Sequence, residues 1–182
     1  MIKANPAGCS PDIDPSSHID ETAVIIGSVT IGRNVFVGPG AVIRADETGS
    51  KIIINDNCNI QDRVIIHGLE HSVVAVDAHT SLAHGSIIHG PCSIGANCFI
   101  GFGSVVFKAE ISNGVVIKHN CCIENVPIPP DSLIASGSII TAEEDTANVK
   151  KTSAADRTFA QKVVDVNRGL VKGYRGTQSR QE

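Results

Sequence analysis

Aliphatic residues recur along the chain at a step of six. They run Ile13, Ile19, Ile25, Ile31, Val37 and Ile43, then Ile54, Ile60 and Ile66, then Val76, Leu82, Ile88, Ile94, Ile100 and Val106. A five-residue step then leads to Ile111, Ile117 and Ile123. Four positions after most of them stands a small residue, among them Ala23, Val29, Ala41, Cys58, Ser86, Cys98 and Cys121. Gly and Asn recur between, as at Gly32 and Asn34 or Gly95 and Asn97. A period of six matches neither the 3.6 of an amphipathic helix nor the 2 of an isolated hairpin strand. It matches short strands separated by turns, three to a coil, closing a triangular parallel prism. The aliphatic points inward, the small residue fits the corner, and Gly or Asn accepts the positive φ of the turn. The eighteen aliphatics above make about six coils.

Two phase slips, at Thr48 to Ile53 and at Gly68 to Val74, predict loops bulging from the prism, where function tends to sit. After Ile123 the repeat fades through Pro127, Pro129 and Pro130. From Ser153 the period becomes helical, with Phe159, Val163, Val166, Leu170 and Tyr174 on one stripe. Ser153 and Asp156 read as a capping box. These signals predict a helix from about Ser153 to Gly173, packed along the prism or across a subunit boundary. The predicted organisation is a β-helix domain over 1–140, then a linker and C-terminal helix over 141–182. The fold class is all-β with a C-terminal α-helix. It resembles the hexapeptide-repeat, left-handed parallel β-helix families, and the left hand comes from that resemblance alone.

Composition fits a narrow prism. The 182 residues hold five Phe, one Tyr and no Trp, so the core is aliphatic. A net charge of −4 without a Lys/Arg stripe argues against nucleic acid and anionic membrane as partners. No apolar run approaches the roughly 18 residues that span a bilayer. Met1 to Pro15 lacks a charged head and apolar stretch, so no secretion leader is expected. Six cysteines without a Cys-x-x-Cys pair then suit reduced thiols in a cytoplasm better than disulfides or a thiolate zinc site.

Of seven histidines, three fall close together in the repeat. Call the face of Ile60 and Leu82 face one, that of Ile66 and Ile88 face two, and that of Val76 face three. His67 directly follows Ile66, and His89 directly follows Ile88, so the two are stacked one coil apart on face two. Parallel strands lie about 4.8 Å apart, close enough for two outward imidazoles to share one metal ion. Arg44, directly after Ile43, is one coil further down. His84, two places beyond Leu82, belongs to face one and is turned away from that pair; it suits a metal held by a neighbouring subunit. Three equivalent contacts of this kind close a cyclic trimer. Three imidazoles and an open position are the ligand pattern of catalytic zinc. The spacing alone equally allows ordinary structural histidines bonded to solvent or a carboxylate. His18, His71, His79 and His119 read as surface residues.

At these positions the chain resembles the gamma-class carbonic anhydrases. The matching strings are Arg44-Ala45-Asp46-Glu47, Asn59 to His67 with Gln61 and Asp62 inside, and Ser81 to Pro91 with His84 and His89. Asn167 to Tyr174 resembles that family's terminal helix, and the resemblance covers about Asp12 to Tyr174. It implies a homotrimer with an intersubunit metal site of His67, His84 and His89. The ion would be Zn2+, with Fe2+ or Co2+ also suited to three imidazoles. The implied reaction is reversible hydration of carbon dioxide to bicarbonate through a metal-bound hydroxide. By the same resemblance Gln61 orients the hydroxide, and Asn59 and Asn167 line the site. Arg44 and Asp62 brace the subunit contact with Asp46 beside them. Glu70 matches the family's proton-shuttle glutamate, and Glu47 a second active-site glutamate. The register places Gln61 one coil below Ala83, so it is expected beside His84. The family prototype has a long acidic loop after the first ligand; here only Gly68 to Val74 is extra, as in the loop-lacking subclass, with His71 as an alternative proton carrier.

Two other functions fit the same repeat. A hexapeptide-repeat acyltransferase or thioesterase requires fewer convergent histidines, and no coenzyme-A groove is legible. A non-catalytic, metal-stabilised trimeric assembly protein is favoured by the short loop.

Overall fold

The computed structural model describes residues 1–147 and 149–178. Short parallel strands stack into three sheets, one for each face of a prism. Face two holds eight strands, face three seven, and face one seven parallel strands plus an antiparallel one from Lys150–Lys151. The prism has about seven coils. The repeat therefore does not end at Ile123. Ile128, Ile134 and Ile140 continue it at steps of five and six. Pro127 is tolerated because its strand is the last of face three. In register opposite Glu110, it leaves the ladder bonds below to its neighbours, as in Glu110 N–H to Val126 O at 3.3 Å. Its missing N–H faces the uncovered end of the sheet.

The inward aliphatics form one continuous core. On face two Ile25, Ile43, Ile66, Ile88, Val106 and Ile123 stack in register, each with no exposed surface. Truncating any of these isoleucines to Ala costs about 2–5 kcal/mol, because the rigid wall cannot collapse into the gap. The small corner residues also tie coil to coil. Thr80 Oγ1 donates to Gly95 O at 2.7 Å, Ser104 Oγ to Lys118 O at 2.9 Å, and Cys121 Sγ to Ala135 O at 3.0 Å. Asn34, Asn57, Asn97 and Asn120 take left-handed φ between 54° and 61° at the turns. Burial pushes the Cys58 and Cys92 thiols up to about 12 and the Cys98 thiol to about 11, so these thiols stay protonated and inert.

The C-terminal helix, Ala154–Gln178, lies across the outside of face one and extends past Gly173. Its capping box is formed: Ser153 N–H donates to Asp156 Oδ2 at 3.0 Å, and Asp156 N–H to Ser153 Oγ at 3.2 Å. Its buried stripe is Ala160, Val164, Asn167 and Val171. Of the stripe expected from spacing, Phe159, Val166, Leu170 and Tyr174 remain largely exposed. Face one supplies the reason. Its outward side already carries Phe99 and Val116, against which Ala160 and Val163 pack, while the Phe159 ring stays at the edge, 5.1 Å from Phe99. The far end is held by aromatic stacking: His18 lies 4.5 Å from the Tyr174 ring and 5.6 Å from Phe36. No helix among the described residues is long and apolar enough to cross a membrane.

Candidate metal centre

The strands Val42–Ala45, Ile65–His67 and Ile87–His89 are neighbours on face two. Their pairing puts Arg44, His67 and His89 in one outward column. The column has a direction. Arg44 Nη2, which can only donate, stands 3.2 Å from His67 Nε2. His67 Nε2 is therefore the acceptor, and Nδ1 carries the proton toward His89 Nε2 at 3.0 Å. That assigns the tautomer from the network and leaves His89 Nδ1 as the remaining donor. This atom is buried and has no hydrogen-bond partner. Burial, with Arg44 and His89 beside it, holds the His67 imidazole below its ordinary pKa, against the pull of Glu47 and Asp46. A neutral imidazole is the form that binds metal.

Carboxylates surround the lower ring. Glu47 Oε1 lies 3.4 Å and Asp46 Oδ1 3.6 Å from His67 Nε2, and Asp46 Oδ1 is 3.4 Å from Arg44 Nε. The two loops are shorter than predicted, at 46–50 and 68–72, because Lys51–Ile54 and Val73–Val76 are strands, and they dock on one another. Glu70 N–H donates to Glu47 Oε2 at 2.7 Å, and His71 N–H to Thr48 O at 2.8 Å. Glu70 Oε1 then lies 3.7 Å from His71 Nε2, both side chains exposed. Glu47 therefore stands beside His67, while the Glu70 and His71 side chains lie on the surface of the loop that holds it.

His84 is elsewhere. It occupies the turn between face one and face two, 53% exposed, with Nδ1 3.5 Å from Asp62 Oδ2. Among the described residues of one chain, no three His, Cys, Asp or Glu side chains converge on a metal position. His84 lines a depression with Pro39, Asp62 and Arg63. Gln61 meets Asn167, Phe159 and Val163 in a cavity of about 350 Å³ under the helix edge. Within one chain, then, Gln61 lines the cavity under the helix and His84 the depression at the corner. The one-coil register is right, and the Gln61 side chain turns under the helix. Gln61 Oε1 is buried without a partner there. Asn59 Oδ1 is likewise unpartnered, while Asn59 Nδ2 reaches Ser81 Oγ at 3.4 Å. Asn167 Nδ2 donates back to Val163 O at 2.8 Å within the helix.

Two aromatic residues escaped the sequence reading. Phe107 continues the face-two column above His89, ring centroids 5.2 Å apart. Phe102 stacks above His84 at 5.4 Å. The signal for Phe107 was present, since it follows Val106 as His89 follows Ile88.

Known proteins resemble this chain in sequence and in fold. The hexapeptide-repeat family described as bacterial transferase hexapeptide (six repeats) matches residues 11–45. A carbonic anhydrase of Methanosarcina thermophila is 35% identical over 195 residues, spanning 95% of this chain and 78% of that protein. The chain belongs to the gamma-class carbonic anhydrase family. Within the same similarity, the carboxysome assembly protein CcmM of Nostoc sp. is 40% identical and that of Synechocystis sp. 37%. They match 89% and 92% of this chain but only 31% and 26% of their own length. The chain thus spans a third or less of these relatives. A Bacillus cereus structure titled putative acetyltransferase superposes with a TM-score of 0.84 at 25% identity, covering 97% of this chain and 98% of its own.

A gamma-class chain is expected to hold a metal, and these residues fit one. His67 and His89 stand on the same outward column with both Nε2 atoms as acceptors, which an ion would take in place of the Arg44 and His67 donors. The remaining His89 donor, Nδ1, is buried and meets no acceptor among the described residues.

Proposed function

We propose that the chain is a metal-dependent carbonic anhydrase catalysing reversible hydration of carbon dioxide, with Zn2+ between subunits of a cytoplasmic homotrimer. The observation that carries this reading is the in-register pair His67 and His89, with His84 exposed on a different corner of the prism. One chain supplies two ligands and presents the third outward, so the set is complete only between copies. A trimer closes this heterologous contact into a ring. Fe2+ and Co2+ suit the same ligands.

Bound there, the ion would supply Lewis acidity toward water at neutral pH. The chain's own residues do the rest. Gln61 offers a buried carboxamide oxygen with no competing bond, able to accept and orient an O–H. Asn59 and Asn167 add carboxamides on the same side of the prism, one from face one and one from the helix. Glu47 is held by the Glu70 N–H with its other oxygen toward His67, and so can take a proton from the site. Glu70 and His71 carry it onward to solvent. Arg44 holds the His67 tautomer and, with Asp46 and Asp62, supplies the charges of the subunit contact.

Similarity to carboxysome assembly proteins, together with the short loop at Gly68 to Ser72, favours a second reading as a non-catalytic, metal-stabilised assembly protein. One experiment separates them. Anaerobically purified protein is analysed for metal, then assayed for oxygen exchange between carbon dioxide and water beside His89→Ala. Activity lost in the variant supports the enzyme. An inactive, metal-replete protein that dissociates on chelation supports the assembly role and rejects the enzyme.

A further inference from the structure

Two outward columns on this chain match tier by tier. On face two, successive coils present Arg44, His67, His89 and Phe107. At the corner between faces one and two, successive coils present Asp62, His84 and Phe102. If His84 of one copy reaches the His67 and His89 of another, the coil below sets Asp62 toward Arg44. The coil above sets Phe102 toward Phe107, each to within about half a coil spacing. The charged tier is already part of the proposed site. The aromatic tier is not.

We propose that Phe102 and Phe107 meet across the subunit boundary and form an apolar wall over the shared site, with a second copy of this chain as the occupant of face two. The proposal rests on the shared-site reading above and adds the surface that seats it. Three observations point the same way. Phe102 is 43% exposed although it stacks on two rings, His84 at 5.4 Å and His119 at 4.4 Å. Stacking fixes its orientation and leaves its outer edge free to be covered. Phe107 lies edge-on to His89 at 5.2 Å, so each aromatic braces one candidate ligand of the site.

The third observation is the ladder beside the Phe107 column. Val24, Val42, Ile65, Ile87, Val105, Cys122 and Ile139 stand in register on the outside of face two, one per coil. Face three at the equivalent positions is mixed, with Thr30, Ser93 and Glu110 among them. Face one is covered by the chain's own helix. Face two is thus the uncovered apolar wall, and contiguous exterior apolar surface of this kind marks an association site. Charge complementarity and ring-to-ring register select another copy as the occupant.

In this arrangement Phe102 and Phe107 are positioning residues. They fix the ring planes of His84 and His89 and keep bulk water off one side of the site. Each ring braces its histidine within one chain, whereas the contact of Phe102 with Phe107 needs a second copy, so the wall forms only on assembly.

The test uses the full chain with Phe102→p-benzoylphenylalanine and ultraviolet light. The expected product is an intermolecular crosslink whose partner peptide contains Phe107. An assembled protein that crosslinks elsewhere, or only within one chain, overturns this proposal and leaves the shared-site reading standing. Metal-replete wild-type protein that sediments as a monomer overturns both. As a second measurement, Phe102→Ala and Phe107→Ala are each expected to weaken assembly at least about tenfold, with the double variant weaker by less than the product of the two. Circular dichroism should be unchanged, because both side chains point out of the prism. Multiplicative effects in the double variant overturn the contact.

Discussion

His67 Nδ1 and His89 Nε2 stand 3.0 Å apart, one coil from each other, with their rings nearly perpendicular at 72°. The distance follows from the prism: residues 22 apart become next neighbours in a parallel ladder. A repeat built to bury isoleucines therefore delivers two imidazoles to one point.

Removing either ring should leave the prism folded and the ion weakly held. His67→Ala and His89→Ala are each expected to cost at least about 100-fold in zinc affinity, since even loss of an outer-shell partner costs about 10–100-fold. Chelator competition measures this, with far-ultraviolet circular dichroism as the check on folding. Retention of one zinc per site in either variant removes that residue from the ligand set.

Gln61 predicts an opposite pair of effects. Its Oε1 is buried and meets no protein donor, and an unmet acceptor of this kind costs the folded chain about 1–3 kcal/mol. Gln61→Leu keeps a similar volume and removes that cost. The variant is expected to melt about 2–4 °C higher for each kcal/mol recovered. It should also lose at least about tenfold in kcat for hydration. A lower melting temperature would mean that Gln61 is satisfied in the folded protein.

Much of this was legible in the chain because a prism side contributes one inward residue every six. The stacking of His67 on His89 could be read off for the same reason, since both directly follow an inward isoleucine. The final coil was hidden by Pro127, Pro129 and Pro130, although Ile128, Ile134 and Ile140 kept the beat. The helix was legible but its face was not. Phe159 and Leu170 look like core residues by size, yet Ala160 and Val164 face inward, Ala160 onto the Phe99 and Val116 already on the wall. The groove joining Gln61 to Asn167 depends on where that helix lies, which no local spacing encodes.

Gly169 offers a stability test independent of the site. It sits exposed inside the helix, and a Cβ placed there would meet nothing within 4 Å. Gly169→Ala should stabilise the helix by about 0.5–1 kcal/mol through the backbone entropy of the unfolded chain. Differential scanning calorimetry should show a higher melting temperature and hydration activity within a factor of about two. A lower one would mean that the helix needs a bend at that position.

Asp156 ties the helix start to the prism and predicts an acid transition. Ser153 donates to it twice, through Oγ at 2.6 Å and N–H at 3.0 Å, and Lys118 Nζ donates from the prism at 3.0 Å. These bonds, the Ser153 ones foremost, pull the carboxyl down to about 2 from an ordinary 3.8. A carboxyl whose folded pKa is depressed stabilises the fold in its ionised form. The contribution is full above the ordinary value of 3.8 and is lost as pH falls from there through about 2. Asp156→Asn should therefore melt below wild type near neutral pH, and the gap should close as pH drops across that window. The matching local signal is helix release, read as faster amide exchange over the first turns of Ala154–Gln178 at low pH in wild type. A melting gap that stays constant down to about pH 2 would mean the Asp156 contacts do not depend on its charge.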